Sequence, residues 1–160
     1  MNTDSPGFWR SLALTDLAAT EALGAQIATG LQVGDTVALK GDLGAGKTTL
    51  ARAVLRALGV TEHVPSPTFT LVQSYDTPRL PVRHYDLYRI CSPREIDELG
   101  MEEALEDGAA LIEWPENAGD RLPEDVLLIL LTAEGEQSRR ADIAGPTRWV
   151  PYFPEVARVR

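Results

Sequence analysis

The residues most able to do chemistry lie in one short stretch of the chain, GDLGAGKT at positions 41–48. It matches the pattern G-x-x-x-x-G-K-[ST], whose glycines let successive backbone N–H groups turn inward around phosphate oxygens. Lys47 is placed to reach the β- and γ-phosphates of a nucleoside triphosphate, and the Thr48 hydroxyl is placed to ligate Mg²⁺. The stretch therefore predicts a phosphate-binding loop, or P-loop. The expected nucleotide contacts are Asp42, Leu43, Gly44, Ala45, Gly46, Lys47, Thr48 and Thr49.

The surroundings of the motif support this interpretation. Residues 36–40 form a short β-rich run, and residues 48–58 have a helical pattern that Gly59 ends. The helix would add the equivalent of roughly half a positive charge at its N-terminus, beside the phosphates. Lys40, directly before the motif, is interpreted as a solvated strand-end residue instead of a second phosphate ligand.

Two acidic residues are candidates for the metal side of the site. Asp86 ends the predicted strand 82–86, and Glu113 follows the apolar run 109–112. A carboxylate at such a position could hold Mg²⁺ opposite Thr48. For either acid alone, a solvated strand-end residue is an equally good interpretation. As a pair they suit metal binding and water activation, which need acidic groups with separate tasks.

Four further residues have a structural and a functional interpretation. Thr68 and Thr70 lie in SPTFTL, between the P-loop helix and the next strand, where nucleotide-binding proteins often place a segment that senses the γ-phosphate. Thr70 fits an ordinary strand threonine better than Thr68 does. From physics alone, core packing is favoured for Trp114 over a place on the rim of the site. His84 is interpreted as a packed hairpin residue and not as a base, because no metal-ligand or triad spacing surrounds it.

The remaining elements predict an α/β fold, a single P-loop domain with a mixed β-sheet flanked by helices. Thr15 is expected to cap a first helix that Gly30 and Gly34 end, and residues 69–75 and 82–86 are expected to form an antiparallel hairpin. A capping box at Ser92 begins a short helix, and residues 101–107 form another. Strands are also expected at 109–112, 126–132 and 138–144. We expect residues 1–145 to form the domain and residues 146–160 to be a tail that packs as an arm or stays mobile.

Composition limits the possible partners and compartments. The 160 residues include 15 basic and 24 acidic side chains, a net charge of −9, so no sequence-wide attraction to RNA, DNA or anionic membranes is expected. Cys91 is the only cysteine, which suits a reducing compartment. The first ten residues lack the apolar core of a signal peptide, and the longest apolar run, 126–131, is too short to span a bilayer. The sequence therefore predicts a cytoplasmic protein without a membrane helix.

Four motifs together make the chain similar to one family. GDLGAGKTTL, SPTFTLV, HYDLYR and IEWPE occur in the order and approximate spacing of the TsaE proteins. The resemblance runs from the helix near Thr15 to the strand near Arg140, and leaves out the tail after Gly145. It implies a bacterial ATPase needed for N6-threonylcarbamoyladenosine in tRNAs that read codons beginning with A.

The resemblance also implies cofactors, partners and roles. ATP and ADP would be substrate and product, Mg²⁺ the cofactor, and TsaB and TsaD the protein partners, with tRNA contacted only indirectly. By position, Lys47 would grip phosphates, Thr48 and Glu113 would ligate Mg²⁺, and Asp86 would be an acidic group needed for hydrolysis. Thr68 and Thr70 fall in the switch-like segment, and Trp114 in a functional motif. The base would lie near residues 14–17, with Arg140 near the site.

Two other functional classes are compatible with a P-loop. A small-molecule kinase is the alternative, although between Arg94 and Arg139 only Arg121 could contribute to an arginine-rich lid. A GTPase switch would need D-x-x-G after a strand and an N-K-x-D signature. DELG at 97–100 instead falls at the end of a predicted helix, and N-K-x-D does not occur.

Overall fold

A computed structural model gives the structure of the chain and describes residues 7–154. The expectations for residues 1–6 and for the last six residues of the tail lie outside this range. Within residues 7–154, no helix is both long and apolar enough to cross a membrane.

Seven strands form one mixed sheet in the order β1-β7-β6-β2-β5-β4-β3. The middle strands β6, β2, β5 and β4 are parallel, whereas β1, β7 and β3 are antiparallel to their neighbours. The predicted α/β class and mixed sheet are thus confirmed. The strands are β1 (Gly7–Leu14), β2 (Thr36–Lys40), β3 (Val72–Asp76), β4 (Pro81–Asp86), β5 (Ala109–Glu113), β6 (Leu127–Ala133) and β7 (Arg139–Pro146).

The helices are α1 (Leu17–Gly30), α2 (Lys47–Ala57) and α3 (Met101–Asp107). Helices α1 and α2 cover one face of the sheet, where alternate strand residues such as Leu39, Leu111 and Ile143 join their apolar side chains in the larger core. Short 3₁₀ segments at Pro93–Leu99 and Pro115–Arg121 pack with α3 over a smaller core on the other face. Side chains alternate along a strand, so residue parity decides which face each one meets.

Gly24 permits close contact between α1 and α2. A Cβ at Gly24 would lie 2.5 Å from the Cβ of Ala53, in the middle of α2. The P-loop helix is therefore held directly against α1, with apolar groups on both sides of the contact.

Three sequence-based expectations need correction. The cap of α1 is Asp16 and not Thr15, because the Asp16 carboxylate accepts the Ala19 N–H at 2.9 Å. The strand expected from residue 69 begins only at Val72, because Leu71 has a φ of 69° and its N–H donates to the Pro67 carbonyl in a turn. Strand β1 was not expected at all.

The described part of the tail packs into the larger core. Thr147–Tyr152 forms a short 3₁₀ helix, and Trp149 and Phe153 are each 1% exposed. Phe153 stacks on Phe8 of β1 at a centroid distance of 6.0 Å. Residues 147–153 therefore share one core with the sheet.

Candidate functional site

The P-loop lies where the sequence predicts it, between β2 and α2. Gly46 has a φ of 103° directly before the helix, and at Gly41 a Cβ would come within 2.5 Å of the Leu131 carbonyl oxygen. Glycine is the residue that tolerates both constraints. Helix α2 begins without a side-chain cap, so its first N–H groups point into the loop and are suited to bind an anion.

The Lys47 side chain folds back over the loop. Its ammonium donates to the carbonyl oxygens of Gly41 at 2.6 Å and Asp42 at 2.8 Å, and lies 4.2 Å from the centre of the Trp114 ring. Burial lowers the pKa of Lys47 below its ordinary value, although the Glu113 and Asp86 carboxylates oppose that lowering. A phosphate beside this ammonium would favour its charged form.

Thr48 and Glu113 meet across the gap between α2 and β5. The Thr48 hydroxyl lies 2.9 and 3.0 Å from the two carboxylate oxygens of Glu113, which is 2% exposed. Glu113 has the same parity as Leu111, so it faces α2. The interpretation of Glu113 as a solvated strand-end acid is therefore wrong.

These hard oxygen atoms fit Mg²⁺. Within residues 7–154, no group of three or more histidine, cysteine or acidic side chains is placed to hold a metal ion. A Mg²⁺ ion here would have the Thr48 hydroxyl and the Glu113 carboxylate as protein ligands. Water and phosphate oxygens would complete its shell, as is usual for Mg²⁺.

Asp86 connects the site to the segment before β3. One of its carboxylate oxygens accepts hydrogen bonds from the hydroxyls of Ser66 and Thr68, both at 3.0 Å, and the other accepts the Tyr88 N–H at 2.9 Å. Asp86 is buried and pairs in register with Glu113 on β5. The structure thus brings Thr68 to the site, whereas Thr70 is exposed.

Trp114 lies on the rim of the site. Its φ of 58° turns the chain at the end of β5, and its ring is tilted against Tyr88 at a centroid distance of 4.9 Å. It is half-buried and does not sit inside the core. Trp114 also packs against the smaller core, so its position fits both the packing and the rim interpretation.

A cleft of about 370 Å³ unites these groups. The carbonyl oxygen of Asp42 accepts a hydrogen bond from Lys47, and Ala45 is a buried residue of the loop. The sequence-predicted residues that line the cleft are Leu43, Gly44, Gly46, Lys47, Thr48, Thr49, Thr68, Asp86, Glu113 and Trp114.

Arg140 is not brought to this cleft. It is exposed and pairs with Glu134 and Asp142. Its neighbour Arg139 instead donates to the carbonyl oxygens of Ala45 at 3.1 Å and Gly44 at 3.3 Å. The physical reason is strand parity, because Arg139 shares its face of β7 with the buried Ala141 and Ile143.

A second cavity of about 350 Å³ adjoins the cleft. Gly46, Thr49 and Arg139 line both spaces. On its far side are Leu14 and Leu17, in the region where the sequence analysis expects the base. The cavity has an apolar wall and a few polar groups, as small-molecule sites generally do.

Sequence reasoning missed Ser66, Tyr88, Arg139 and the contact of His84 with Glu113. The His84 ring nitrogen Nε2 lies 2.6 Å from a carboxylate oxygen of Glu113. Alternation along β4 was an available signal for His84, because it shares a strand face with Asp86. The contacts of Ser66 and Tyr88 depend on loop geometry, for which the sequence carries no comparable signal.

Comparison with known proteins identifies the family of the chain. The family model described as threonylcarbamoyl adenosine biosynthesis protein TsaE matches residues 14–141. The tRNA threonylcarbamoyladenosine biosynthesis protein TsaE of Rickettsia felis is 41% identical over 133 residues, which cover 82% of this chain and 78% of that protein. The protein of the same name from Bacillus subtilis is 37% identical over 121 residues, 75% of each chain.

A solved structure extends the similarity to the fold. The crystal structure of Bacillus subtilis YdiB aligns with a TM-score of 0.75 and 29% identity, and the alignment covers 89% of this chain and 88% of that one. Sequence and fold comparisons thus agree over most of the chain. The chain belongs to the TsaE family of tRNA threonylcarbamoyladenosine biosynthesis proteins.

Proposed function

We propose that the chain is a Mg²⁺-dependent ATP hydrolase that supports repeated rounds of N6-threonylcarbamoyladenosine modification of tRNAs reading codons that begin with A. In this proposal it acts in the cytoplasm with TsaB and TsaD. The observation that carries it is the convergence of Lys47, the Thr48–Glu113 pair and Asp86 on one cleft at the start of α2.

Each group has a separate task in the proposal. Lys47 and the first N–H groups of α2 hold the phosphates, whose negative charge they offset. Thr48 and Glu113 hold Mg²⁺, which when bound neutralises charge on the phosphate oxygens. Asp86, the acidic group needed for hydrolysis, accepts hydrogen bonds from the hydroxyls of Ser66 and Thr68, which line the same cleft.

The second cavity is proposed as the site of the adenine base. It begins at the same Gly46 and Thr49 that line the phosphate cleft, so one nucleotide could occupy both spaces. Leu14 and Leu17 would pack against the base, and Arg139 would lie at the junction of the two spaces. Arg139 replaces Arg140 in this role because its guanidinium contacts the P-loop.

Charge supports proteins over tRNA as direct partners. A net charge of −9 opposes attraction to a nucleic-acid backbone. We therefore expect slow turnover by the isolated chain, changed by TsaB and TsaD, and only indirect contact with tRNA.

The test is tRNA modification reconstituted with and without this chain and followed over several turnovers. Wild-type protein and Lys40→Ala should sustain modification and hydrolyse ATP, because Lys40 is exposed. Lys47→Ala should abolish both activities, because the ammonium that binds the phosphates is lost. Full multiple-turnover modification without the chain, or by Lys47→Ala, would refute the proposal.

A further inference from the structure

We propose that His84 is a positioning residue that orients the Glu113 carboxylate for Mg²⁺, an inference that rests on the proposed Mg²⁺-dependent function. The imidazole is 0% exposed, and its Nε2 lies 2.6 Å from the Oε2 atom of Glu113. A carboxylate only accepts hydrogen bonds, so Nε2 donates to it.

The contact with Glu113 is the one hydrogen bond of the His84 ring among the described residues. Within residues 7–154, Nδ1 of His84 is buried and has no hydrogen-bond partner. The cost of burying a polar ring is therefore offset at one place, the Glu113 carboxylate. Burial also keeps the ring away from any bound nucleotide, so His84 is not a base for the reaction.

The sheet explains why the two side chains meet. Strands β4 and β5 are parallel, with His84 paired in register to Leu111 and Asp86 paired to Glu113. His84 and Glu113 are diagonal neighbours on the face covered by α2. A rigid pair of central strands thus fixes the distance between them.

The contact matters because Glu113 has only one other side-chain donor among the described residues, Thr48. A Thr48 hydroxyl that ligated Mg²⁺ would keep its proton and could still donate to Glu113, but both residues would then be ligands of the ion, so this hydrogen bond would lie within the metal shell. The bond from His84 comes from outside the metal shell and persists. Groups in this position typically change metal affinity by about 10- to 100-fold when they are removed.

The experiment compares His84→Gln, His84→Leu and His84→Asn with wild type. A glutamine side-chain nitrogen occupies nearly the same position as Nε2, so His84→Gln keeps the donor. Leucine has no donor, and the shorter asparagine places its nitrogen near Nδ1, too far from Glu113. The other histidine in the chain, the exposed His63, supplies the control His63→Leu.

Two quantities are measured. The first is the Mg²⁺ concentration at which the effect of Mg²⁺ on ADP binding is half-maximal, and the second is the ADP dissociation constant without Mg²⁺, in EDTA. We expect His84→Leu and His84→Asn to raise the first by about 10- to 100-fold and to leave the second unchanged. His84→Gln and His63→Leu should match wild type in both. Thermal unfolding of each variant tests whether the fold is retained.

A purely structural role gives a different pattern. Wild-type Mg²⁺ dependence in a folded His84→Leu or His84→Asn would overturn the inference, and so would equal weakening of ADP binding with and without Mg²⁺. If His84→Leu does not fold, the comparison of asparagine with glutamine decides. A different result would contradict the proposed Mg²⁺-dependent function itself: ADP binding by the wild-type protein would not change with Mg²⁺.

Discussion

Trp149→Ala should destabilise the whole domain, because the tail residue it alters is part of the larger core. The indole is 1% exposed and stacks on Phe153 at a centroid distance of 6.1 Å. It also lies against α1, where a Cβ added at Gly30 would come within 2.6 Å of the ring. Truncating a buried aromatic of this kind costs about 3 to 5 kcal/mol of unfolding free energy.

For a chain of this length, each kcal/mol lowers Tm by about 2 to 4 °C, so the expected fall is roughly 6 to 20 °C. The assay is thermal unfolding by circular dichroism, supported by urea titration. Trp9→Ala is the matched control, because Trp9 is 56% exposed on β1, and a surface change of that kind stays within about 0.5 kcal/mol. Equal Tm values for the two variants would refute the reasoning that residues 147–153 belong to the core.

Three predictions concern the site. Burial lowers the pKa of Lys47 below its ordinary 10.5, and a bound phosphate favours the charged lysine. Above the lowered pKa, nucleotide binding must take up a proton, so nucleotide affinity should fall as pH rises through that pKa. Calorimetry across that range checks this, and an onset only above pH 10.5 would contradict it. Glu113→Gln should reduce ATP turnover by about 10²- to 10³-fold, whereas the exposed Glu116→Gln should not; equal rates in a phosphate-release assay would exclude a special role for Glu113. Arg139→Ala should weaken ADP binding about tenfold, the equivalent of one charge-assisted hydrogen bond. Arg140→Ala should bind ADP like wild type. A larger loss of ADP affinity in Arg140→Ala than in Arg139→Ala, measured by titration, would assign the role to Arg140.

Local patterns were the part of this fold that could be predicted from the sequence. The capping box at Ser92 forms as expected, with the Glu95 carboxylate accepting the Ser92 N–H at 3.0 Å. Helix α3 and strand β2 also have the predicted bounds. The capping box and α3 depend on residues within one or two turns of chain, and β2, although it pairs with the distant β5 and β6, is a short apolar run between turn residues, so each signal is contained in a short window.

Apart from two local errors, the cap of α1 and the turn at Leu71, the errors concern interactions between distant segments. Strand β1 has a weak alternation of its own and forms through its pairing with β7. The family pattern indicated an arginine near the site in the region of Arg139 and Arg140. Which of the two contacts the P-loop depends on which face of β7 packs against the core. The contact between His84 and Glu113 likewise depends on the register of β4 against β5, which a single sequence does not specify.

The pairing of β1 with β7 has a consequence for protein synthesis. Strand β1 leaves the ribosome long before the residues of β7 that form its hydrogen bonds, and at usual elongation rates the delay is on the order of ten seconds. The P-loop strand and its helix can meanwhile assemble, because they are neighbours in sequence. Until β7 emerges, β1 is an unpaired strand whose Phe8 and Leu12 lack the core they pack against. A nascent chain that stalls in this interval presents a strand edge to which another chain can add.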